Sequence, residues 1–300
     1  MRQTLLEKVQ SAICIKCRLP NAAENIDKTL LTTDEDCCLE NPISKELSQI
    51  IYNGIVEYAV NEFKIDYSNL SLEQAKVITR DMKYDSFAPT SEKLKYGFYG
   101  EVLLDLILRT YFSTDVLLAR GYLYSPIENS EVKGFDAFHL IEDENKTSLW
   151  LGEAKFYKDY HKPIRDVIGK IEKSLSDEYV NKNVFAIFKE SEKMTYTPGS
   201  LKKIVDEWEM NPLINISAEL KKHNISVVYP IMIVHEAVGI DYYDDIKHCV
   251  SYVNSEVKRL SVKVPASFDY SIFFIFLPTY DVRGIKEQVI EWIENKEPLI

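Results

Sequence analysis

The sequence predicts an α/β protein in which a mixed central sheet is flanked by helices and follows an N-terminal helical portion. Three observations support this: helical spacing of apolar residues early in the chain, strand-like runs from residue 116, and alternating helices and strands after residue 163. A helix, three strands, a helix and a further strand, in that order, imply a mixed sheet covered by helices. With 46% hydrophobic residues among 300, the chain can bury a sizeable core, which excludes wholesale disorder.

Residues 1–90 are the predicted helical portion, and residues 91–300 form the domain that contains the sheet. The pair Asn41-Pro42 supplies an N-cap residue and a first-turn proline, which predicts a helix start. Apolar residues then recur at helical spacing, at Leu47, Ile50, Ile51, Ile55 and Val60. Ser71 and Gln74 have the spacing of a capping box, which predicts the start of another helix.

In residues 91–300, apolar periodicity predicts a helix over Glu92–Phe112, and runs rich in aromatic and aliphatic residues then predict strands. The predicted strands are Val116–Pro126, Gly134–Ile141, Ser148–Tyr157, Val184–Phe188, Ile225–Val234 and Ser271–Leu277. Further helices are predicted over Pro163–Tyr179 and over Val282–Asn295. The longest apolar runs are far too short to cross a bilayer, so we expect no membrane partner.

One Glu-x-Lys motif, Glu153-Ala154-Lys155, differs from the other six in the chain because it lies inside a strand-like run, LWLGEAKFY. Charged residues are depleted from strand interiors, and two of them there are costly unless something compensates. Strand alternation places Glu153 and Lys155 on one face of the sheet. The alternating small and aromatic residues of the run then face the opposite side, towards packing.

A hairpin brings a second carboxylate to this motif. The strands Gly134–Ile141 and Ser148–Tyr157 are joined by a polar turn, and if the turn centres on residues 144 and 145, Asp136 lies opposite Glu153. Opposed residues have Cβ atoms roughly 4.5–5.5 Å apart, where like charges repel. A divalent cation removes that penalty, and Mg²⁺ prefers one or two carboxylates together with water and phosphate. A slip of one residue would undo this register.

Glu101 is a third candidate carboxylate. On the predicted helix it shares a face with apolar residues at spacings of three and seven, namely Leu94, Phe98, Leu104 and Leu108. A carboxylate on an apolar stripe is neutralised, paired or used for function. Both a satisfied helix carboxylate and a site residue therefore remain open for Glu101.

Three segments together, YGFYGEVLLDLIL, GFDAFHL and LWLGEAKFY, resemble the PD-(D/E)xK superfamily of restriction-like nucleases. More narrowly they resemble the HamA family, the nuclease subunits of the Hachiman anti-phage defence system. The resemblance implies a restriction-endonuclease-like core with the order α-β-β-β-α-β. Phe135 stands where the superfamily pattern has a proline, which weakens the general signature without removing it.

The resemblance also implies a mechanism of metal-dependent DNA cleavage. Asp136, Glu153 and the Ala154 backbone carbonyl would hold Mg²⁺, for which Mn²⁺ is a substitute, and Glu101 would complete the first or second metal shell. Lys155 would orient or activate the attacking water, or stabilise charge that develops in the transition state. The implied partners are DNA and a HamB-type helicase subunit that restrains the nuclease. Two alternatives are a catalytically inactive adaptor on a helicase, and a nuclease of the same fold in restriction or repair.

The net charge of −11 is unlike that of proteins that coat nucleic acid. The segment from Lys155 to Lys173 nevertheless holds six basic residues against three acidic ones, a local charge of +3. We expect DNA phosphate contacts here, from Lys158, Lys162 and Arg165. The alternative is a solvated helix face without a binding role.

The cysteines indicate a reducing compartment. Cys14, Cys17, Cys37, Cys38 and Cys249 are an odd set, and the N-terminal segment lacks the apolar run of a signal peptide. We therefore expect a cytoplasmic protein. A zinc site at the first four cysteines is an alternative, but ordinary reduced thiols are favoured because adjacent cysteines seldom ligate one ion. Neither His139, expected to pack, nor His161, expected at the surface, is assigned a catalytic role.

Overall fold

The computed structural model describes residues 1–125, 130–131, 134–142, 147–190, 199–211, 213–239 and 241–300. The strands in these residues, numbered in chain order, are β1 Cys14–Leu19, β2 Asp36–Glu40, β3 Asp115–Val116, β4 Tyr124–Ser125, β5 Ser130–Glu131, β6 Ala137–Glu142, β7 Thr147–Phe156, β8 Ile225–Glu236 and β9 Tyr270–Thr279. The α-helices are α1 Gln3–Ala12, α2 Ser44–Ala59, α3 Leu70–Arg80, α4 Thr90–Lys93, α5 Phe98–Tyr111, α6 His161–Ile168, α7 Ile171–Ser174, α8 Asp177–Lys189, α9 Gly199–Met210, α10 Ile216–Lys222, α11 Tyr242–Leu260 and α12 Val282–Asn295.

The central feature is a seven-stranded mixed sheet with the strand order β1-β2-β9-β8-β7-β6-β3, and β4 pairs separately with β5. The four inner strands β2, β9, β8 and β7 run parallel, while β1, β6 and β3 are antiparallel to their neighbours. The elements α5, β3, β6, β7, α6 and β8 therefore follow the predicted order of helix, three strands, helix and strand. The prediction of a mixed sheet flanked by helices is confirmed.

Helices cover both faces of the sheet because its inner strands are apolar on both sides. All residues of β8 except the last are buried, which is typical of a parallel strand between two helical layers. Its side chains alternate between two cores, with Ile231 and Ile233 in one and Met232 and Val234 in the other. The first core includes residues of α6, α8, α10 and α11, and the second includes residues of α1, α2, α5 and α12.

The expectation of a wholly helical segment 1–90 is wrong for two segments, since Cys14–Leu19 and Asp36–Glu40 are strands. β2 pairs in parallel with β9, so the N-terminal portion extends the same sheet. The two helix starts also differ by one or two residues. α2 begins at Ser44 with Ile43 as its N-cap residue, so Asn41 does not cap it, and α3 begins at Leu70, one residue before Ser71.

Three other predicted elements need correction. Val184–Phe188 lies within α8, because its apolar run is too short to distinguish a strand from the buried side of a helix. In place of a strand over Val116–Pro126 the chain forms β3, a 3₁₀ turn at Arg120–Leu123 and β4, and Pro126 lies outside the described residues. The predicted helix Pro163–Tyr179 is divided into α6, α7 and the start of α8.

The strands and helix nearest the candidate site are predicted well. β6, β7, β8 and β9 agree with their predicted spans to within a few residues, and α12 has its predicted bounds. The helix predicted over Glu92–Phe112 is present as α4 and α5, which are separated by residues 94–97. Periodicity succeeded here because each element is long or strictly alternating.

Gly152 lets α5 pack directly on β7. A Cβ atom at this position would lie 2.7 Å from Leu104 Cδ2 and 3.3 Å from the Ala137 Cβ. Gly152→Ala is therefore expected to lower the free energy of unfolding by about 1–3 kcal/mol, as overpacking of a core does. Denaturant unfolding measures the change, with Gly239→Ala as the control, because the nearest atom there would be at 3.5 Å. Equal stability of the two variants would contradict this account of the packing.

Candidate active site

The candidate site lies at a fork between β6 and β7. The two strands pair from Ala137 opposite Gly152 to Glu142 opposite Thr147, which is the predicted register. The turn on which that register was centred, residues 143–146, lies outside the described residues. β7 continues to Phe156 beyond its last pair with β6, while Glu153–Phe156 stay paired with β8 on the other side. The segment that carries the Glu-x-Lys motif thus has an edge that β6 does not cover.

Asp136 occupies this open edge. Its backbone N–H donates to the Gly152 carbonyl at 2.8 Å, and its carboxylate Oδ2 accepts a hydrogen bond from the Ala154 N–H at 2.8 Å. The carboxylate therefore accepts from a β7 amide that β6 would otherwise pair. This contact fixes Asp136 beside Glu153 through backbone groups.

Glu153 and Lys155 lie on one face of β7, as alternation predicts, and each side chain is 18% exposed. The Lys155 ammonium donates to Glu153 Oε1, and also to the Ala154 carbonyl at 3.2 Å. Burial, and then the nearby charge of Asp136, raise the pKa of Glu153 to about 7, although the Lys155 charge opposes the shift. Burial opposes the charge of Lys155, yet the charges of Glu153 and Asp136 outweigh it and raise the pKa of Lys155. In the metal-free site, burial and the charge of Asp136 thus disfavour the ionised form of Glu153.

Glu101 reaches the same region from the first turn of α5. Gly100 brings this helix close to β7, since a Cβ atom there would lie 3.3 Å from the Cβ atoms of Ala154 and Phe156. The Tyr58 hydroxyl donates to Glu101 Oε2, and Arg120 Nε lies 3.7 Å from the same oxygen. Glu101 is therefore a paired carboxylate in this structure, as one of the two interpretations of the sequence expected.

Two cavities meet at these residues, and both are lined by Glu101 and Asp136. The first has a volume of about 460 Å³ and includes Glu153 and the basic residues Arg120, Lys170 and Lys173. The second has a volume of about 570 Å³ and includes the basic residues Lys95, Lys155, Lys158, Lys162 and Lys286. The acidic centre thus has basic side chains on both sides, an arrangement suited to a polyanion that crosses it.

The predicted phosphate contacts are only partly gathered at the site. Lys158 and Lys162 line the second cavity; the Lys158 side chain is 78% exposed, with its ammonium 3.4 Å from Glu236. Arg165 is exposed and does not line either cavity, and its guanidinium lies 3.5 Å from the Tyr252 hydroxyl. Lys170 and Lys173, which belong to the same basic segment, lie closer to Asp136 and Glu153 because they share the first cavity with them.

Sequence reasoning missed two buried cations near the site. Arg120 is 6% exposed and follows a run of apolar residues, a position where a charge signals a partner or a role. Lys286 lies on the apolar stripe of α12, donates to the Phe156 carbonyl at 2.9 Å, and has its pKa lowered to about 8 by burial. In both cases the sequence shows a charged residue among apolar ones, but only the fold shows which groups that residue contacts.

Charged and potentially metal-binding side chains outside the fork are mostly paired with one another. A larger cavity of about 700 Å³ lies elsewhere, and the two cationic groups in its lining, Arg109 and the Met1 amino group, both pair with Glu62. His139 is buried between Asp105 and Thr114, as packing predicts. In the described chain, one group of three histidine or carboxylate side chains lies close enough together to share an ion, Glu207, Glu219 and His223, and Lys222 is paired with both carboxylates.

The four N-terminal cysteines do not converge. Cys37 and Cys38 are neighbours on β2, and their side chains enter different cores on opposite faces of the sheet. Cys17 lies opposite Cys38, and a hydrogen bond from that thiol lowers the pKa of Cys17 to about 7. One zinc ion cannot bind all four thiols in this arrangement.

Comparison with known proteins assigns the family. The family model described as HamA matches residues 12–293 of the 300-residue chain. The chain belongs to the HamA family. This HamA-family chain is accordingly a protein of the Hachiman anti-phage defence system. No curated protein and no solved structure matches it with significance. Among the helices of the described residues, none has both the length and the hydropathy of a membrane span.

Proposed function

We propose that this HamA-family chain is a magnesium-dependent deoxyribonuclease, with Asp136, Glu153 and Lys155 as its catalytic residues. The observation that supports this best is the fork, where Asp136 is fixed next to Glu153, and where burial and then the Asp136 charge raise the pKa of Glu153. Two adjacent, buried carboxylates are rare where they have only a structural role, because ionising both of them is unfavourable. A divalent cation bound between them would stabilise both negative charges. Backbone contacts from two strands hold the pair in place, as a preorganised site requires.

The donor set fits Mg²⁺. Asp136 and Glu153 offer carboxylate oxygens and Ala154 offers a backbone carbonyl, which are the hard ligands that this ion prefers. Asp136 Oδ1 and Glu153 Oε2 are the oxygens left for the ion, because Ala154 and Lys155 donate to the other two. When bound, the ion would polarise the scissile phosphate and make a bound water more acidic. Glu101 remains paired with Tyr58, so we place it next to the ligands, where it would orient water.

We assign Lys155 the role of a hydrogen-bond donor. Although burial opposes its charge, the charges of Glu153 and Asp136 raise the pKa of Lys155 in the metal-free site, and its ammonium donates to the Glu153 carboxylate and the Ala154 carbonyl. The ammonium is positioned on the face of Glu153, where it would orient the water and stabilise the negative charge that develops on the phosphate. Arg120, in the first cavity, would add positive charge on the far side of the carboxylates.

A helicase partner of the HamB type would deliver DNA to this site, since the chain of charge −11 offers few phosphate contacts of its own. The isolated chain is then expected to bind DNA weakly and with a shallow salt dependence. The complex with the helicase is expected to cleave DNA in Mg²⁺ but not in EDTA. A complex that binds DNA, hydrolyses ATP and leaves the DNA intact would instead identify the chain as an inactive adaptor.

The exposed basic residues beside the site give a separate prediction. Replacing Lys158, Lys162 and Arg165 with alanine is expected to reduce cleavage by the complex while barely changing its affinity for DNA, because the helicase supplies most of the bonds to phosphate. Removing one side chain that binds a phosphate makes the log–log salt slope shallower by about 0.9 on duplex DNA. Cleavage rates and filter binding measure the two effects.

The control replaces Lys202 and Lys203 on α9, which are exposed and do not line either cavity. Cleavage by this double variant is expected to equal that of the wild type. If the triple variant also cleaves at the wild-type rate, the three replaced residues lie on a solvated surface, and the phosphate contacts of the segment belong to Lys170 and Lys173.

A further inference from the structure

A small cavity of about 60 Å³ lies where three parallel strands end, away from the fork. β2 ends at Glu40, β8 at Glu236 and β9 at Thr279, and the first turn of α11 closes the space. Ligands often bind at the carboxyl ends of parallel strands, because the loops diverge there and leave polar groups exposed. The proposed nuclease function does not use this cavity.

Two residues that line the cavity each carry a buried side-chain oxygen without a hydrogen-bond partner, Asn41 Oδ1 and Thr279 Oγ1. Both residues are 2% exposed. The Asn41 amide nitrogen donates to the Ala12 carbonyl at 2.7 Å, and this bond determines which end of the amide is left unpaired. An unsatisfied buried acceptor costs free energy, so two of them beside one cavity indicate that something binds there.

A buried carboxylate lines the same cavity. Asp245 is 2% exposed, and its Oδ1 accepts hydrogen bonds from the Val238 and Gly239 N–H groups at 3.0 and 2.9 Å. Within the described ranges no lysine, arginine or histidine lies within ion-pair distance of it. These two amides and the N-terminal end of α11 stabilise its charge, while its second carboxylate oxygen accepts no hydrogen bond in the described chain. Glu40, paired with Lys16 at 3.0 Å, adds a second carboxylate to the lining.

We propose that this cavity binds Ca²⁺ and that the ion joins the end of β2 to the ends of β8 and β9. The unpaired groups are an amide oxygen, a hydroxyl and a carboxylate oxygen, which together favour a cation over an anion. Ca²⁺ accepts such mixtures of neutral and acidic oxygens in irregular geometry, whereas Mg²⁺ keeps several of its waters. The cavity is small, about 60 Å³, so an ion bound there leaves little space for water. It therefore suits an ion that is held mainly by protein oxygens.

Thermal unfolding of the full-length chain tests the site. The background is the double variant Asp136→Asn with Glu153→Gln, which disables the site at the fork so that any response reports the second site. Ca²⁺ at about a hundredfold excess over its Kd is expected to raise the Tm by about 5 °C. Mg²⁺ at the same concentration is expected to raise it by much less.

Thr279→Val and, separately, Asp245→Asn in this background are expected to lose the Ca²⁺ response. Asp245→Asn keeps the side-chain oxygen that accepts hydrogen bonds from the Val238 and Gly239 N–H groups. It is therefore expected to fold even if Thr279→Val does not. The matched control is Thr110→Val, which removes another buried, unpartnered hydroxyl that does not line the cavity, and its response is expected to be unchanged. A Tm indifferent to Ca²⁺ in the background protein, an equal response to Mg²⁺, or a full response in both cavity variants would overturn the proposal.

Discussion

Metal-dependent DNA cleavage is expected to fall at least about 10²–10³-fold when Asp136, Glu153 or Lys155 is replaced singly by alanine. The three side chains contact one another or the same short stretch of β7, so each replacement removes a ligand or a charge from the reacting centre. The double variant Glu153→Ala with Lys155→Ala is expected to be little worse than either single variant, because groups that act as a unit are not additive. The effects are measured as initial rates of cleavage of a labelled DNA by the three single variants and the double variant, each relative to the wild type.

The matched control is Asp166→Asn, which changes an exposed carboxylate on α6 that lines neither cavity at the fork. Its cleavage rate is expected to equal that of the wild type. Folding of each variant is checked by its unfolding transition. Any of the three alanine variants that folds and cleaves at the wild-type rate would remove that residue from the catalytic assignment.

Stability of the metal-free protein is expected to fall as pH rises from about 4.5 to above 7. The pKa of Glu153 is raised in the folded state, to about 7 from an ordinary value of 4.5, so the folded protein binds the proton more tightly than the unfolded chain. The contribution to stability is fully present below pH 4.5 and is lost as pH rises through 7. Its size is roughly 3 kcal/mol.

Comparison with Glu153→Gln isolates this effect from other titrating groups. The variant is expected to lack this part of the pH dependence and to be more stable than the wild type at pH 8 without metal. Asp136→Asn should show a smaller benefit, because burial is the larger cause of the shift and remains. Mg²⁺ should stabilise the wild type at pH 8 and neither variant. Parallel stability–pH curves for wild type and Glu153→Gln would contradict the carboxylate pair.

The hairpin that carries the site was predictable because its information is local. Strict alternation in LWLGEAKFY fixes which side chains share a face, and the length of the polar turn fixes which residues oppose each other. Asp136 and Glu153 could therefore be paired from the sequence. The open edge of β7 could not be predicted from the sequence, since it depends on where β6 diverges from β7.

Features that depend on contacts between distant segments were not predictable. β2 is a strand because it pairs with β9, and nothing within its five residues indicates that partner. The contacts of Glu101 with Tyr58 and Arg120 join three separate segments, so the sequence left two interpretations of this carboxylate open. Val184–Phe188 failed for a different reason: five apolar residues in succession suit both a strand and the buried side of a helix.

DNA cleavage by the wild-type chain and by Glu153→Gln, each alone and with its helicase partner, tests the nuclease assignment most directly. Each protein is incubated with end-labelled DNA in Mg²⁺ or in EDTA, and the products are separated by length. We expect cleavage by the wild-type complex in Mg²⁺, and intact DNA in EDTA and with the variant. Intact DNA with the wild-type complex in Mg²⁺, while the helicase hydrolyses ATP, would contradict the nuclease assignment, as would equal cleavage by Glu153→Gln.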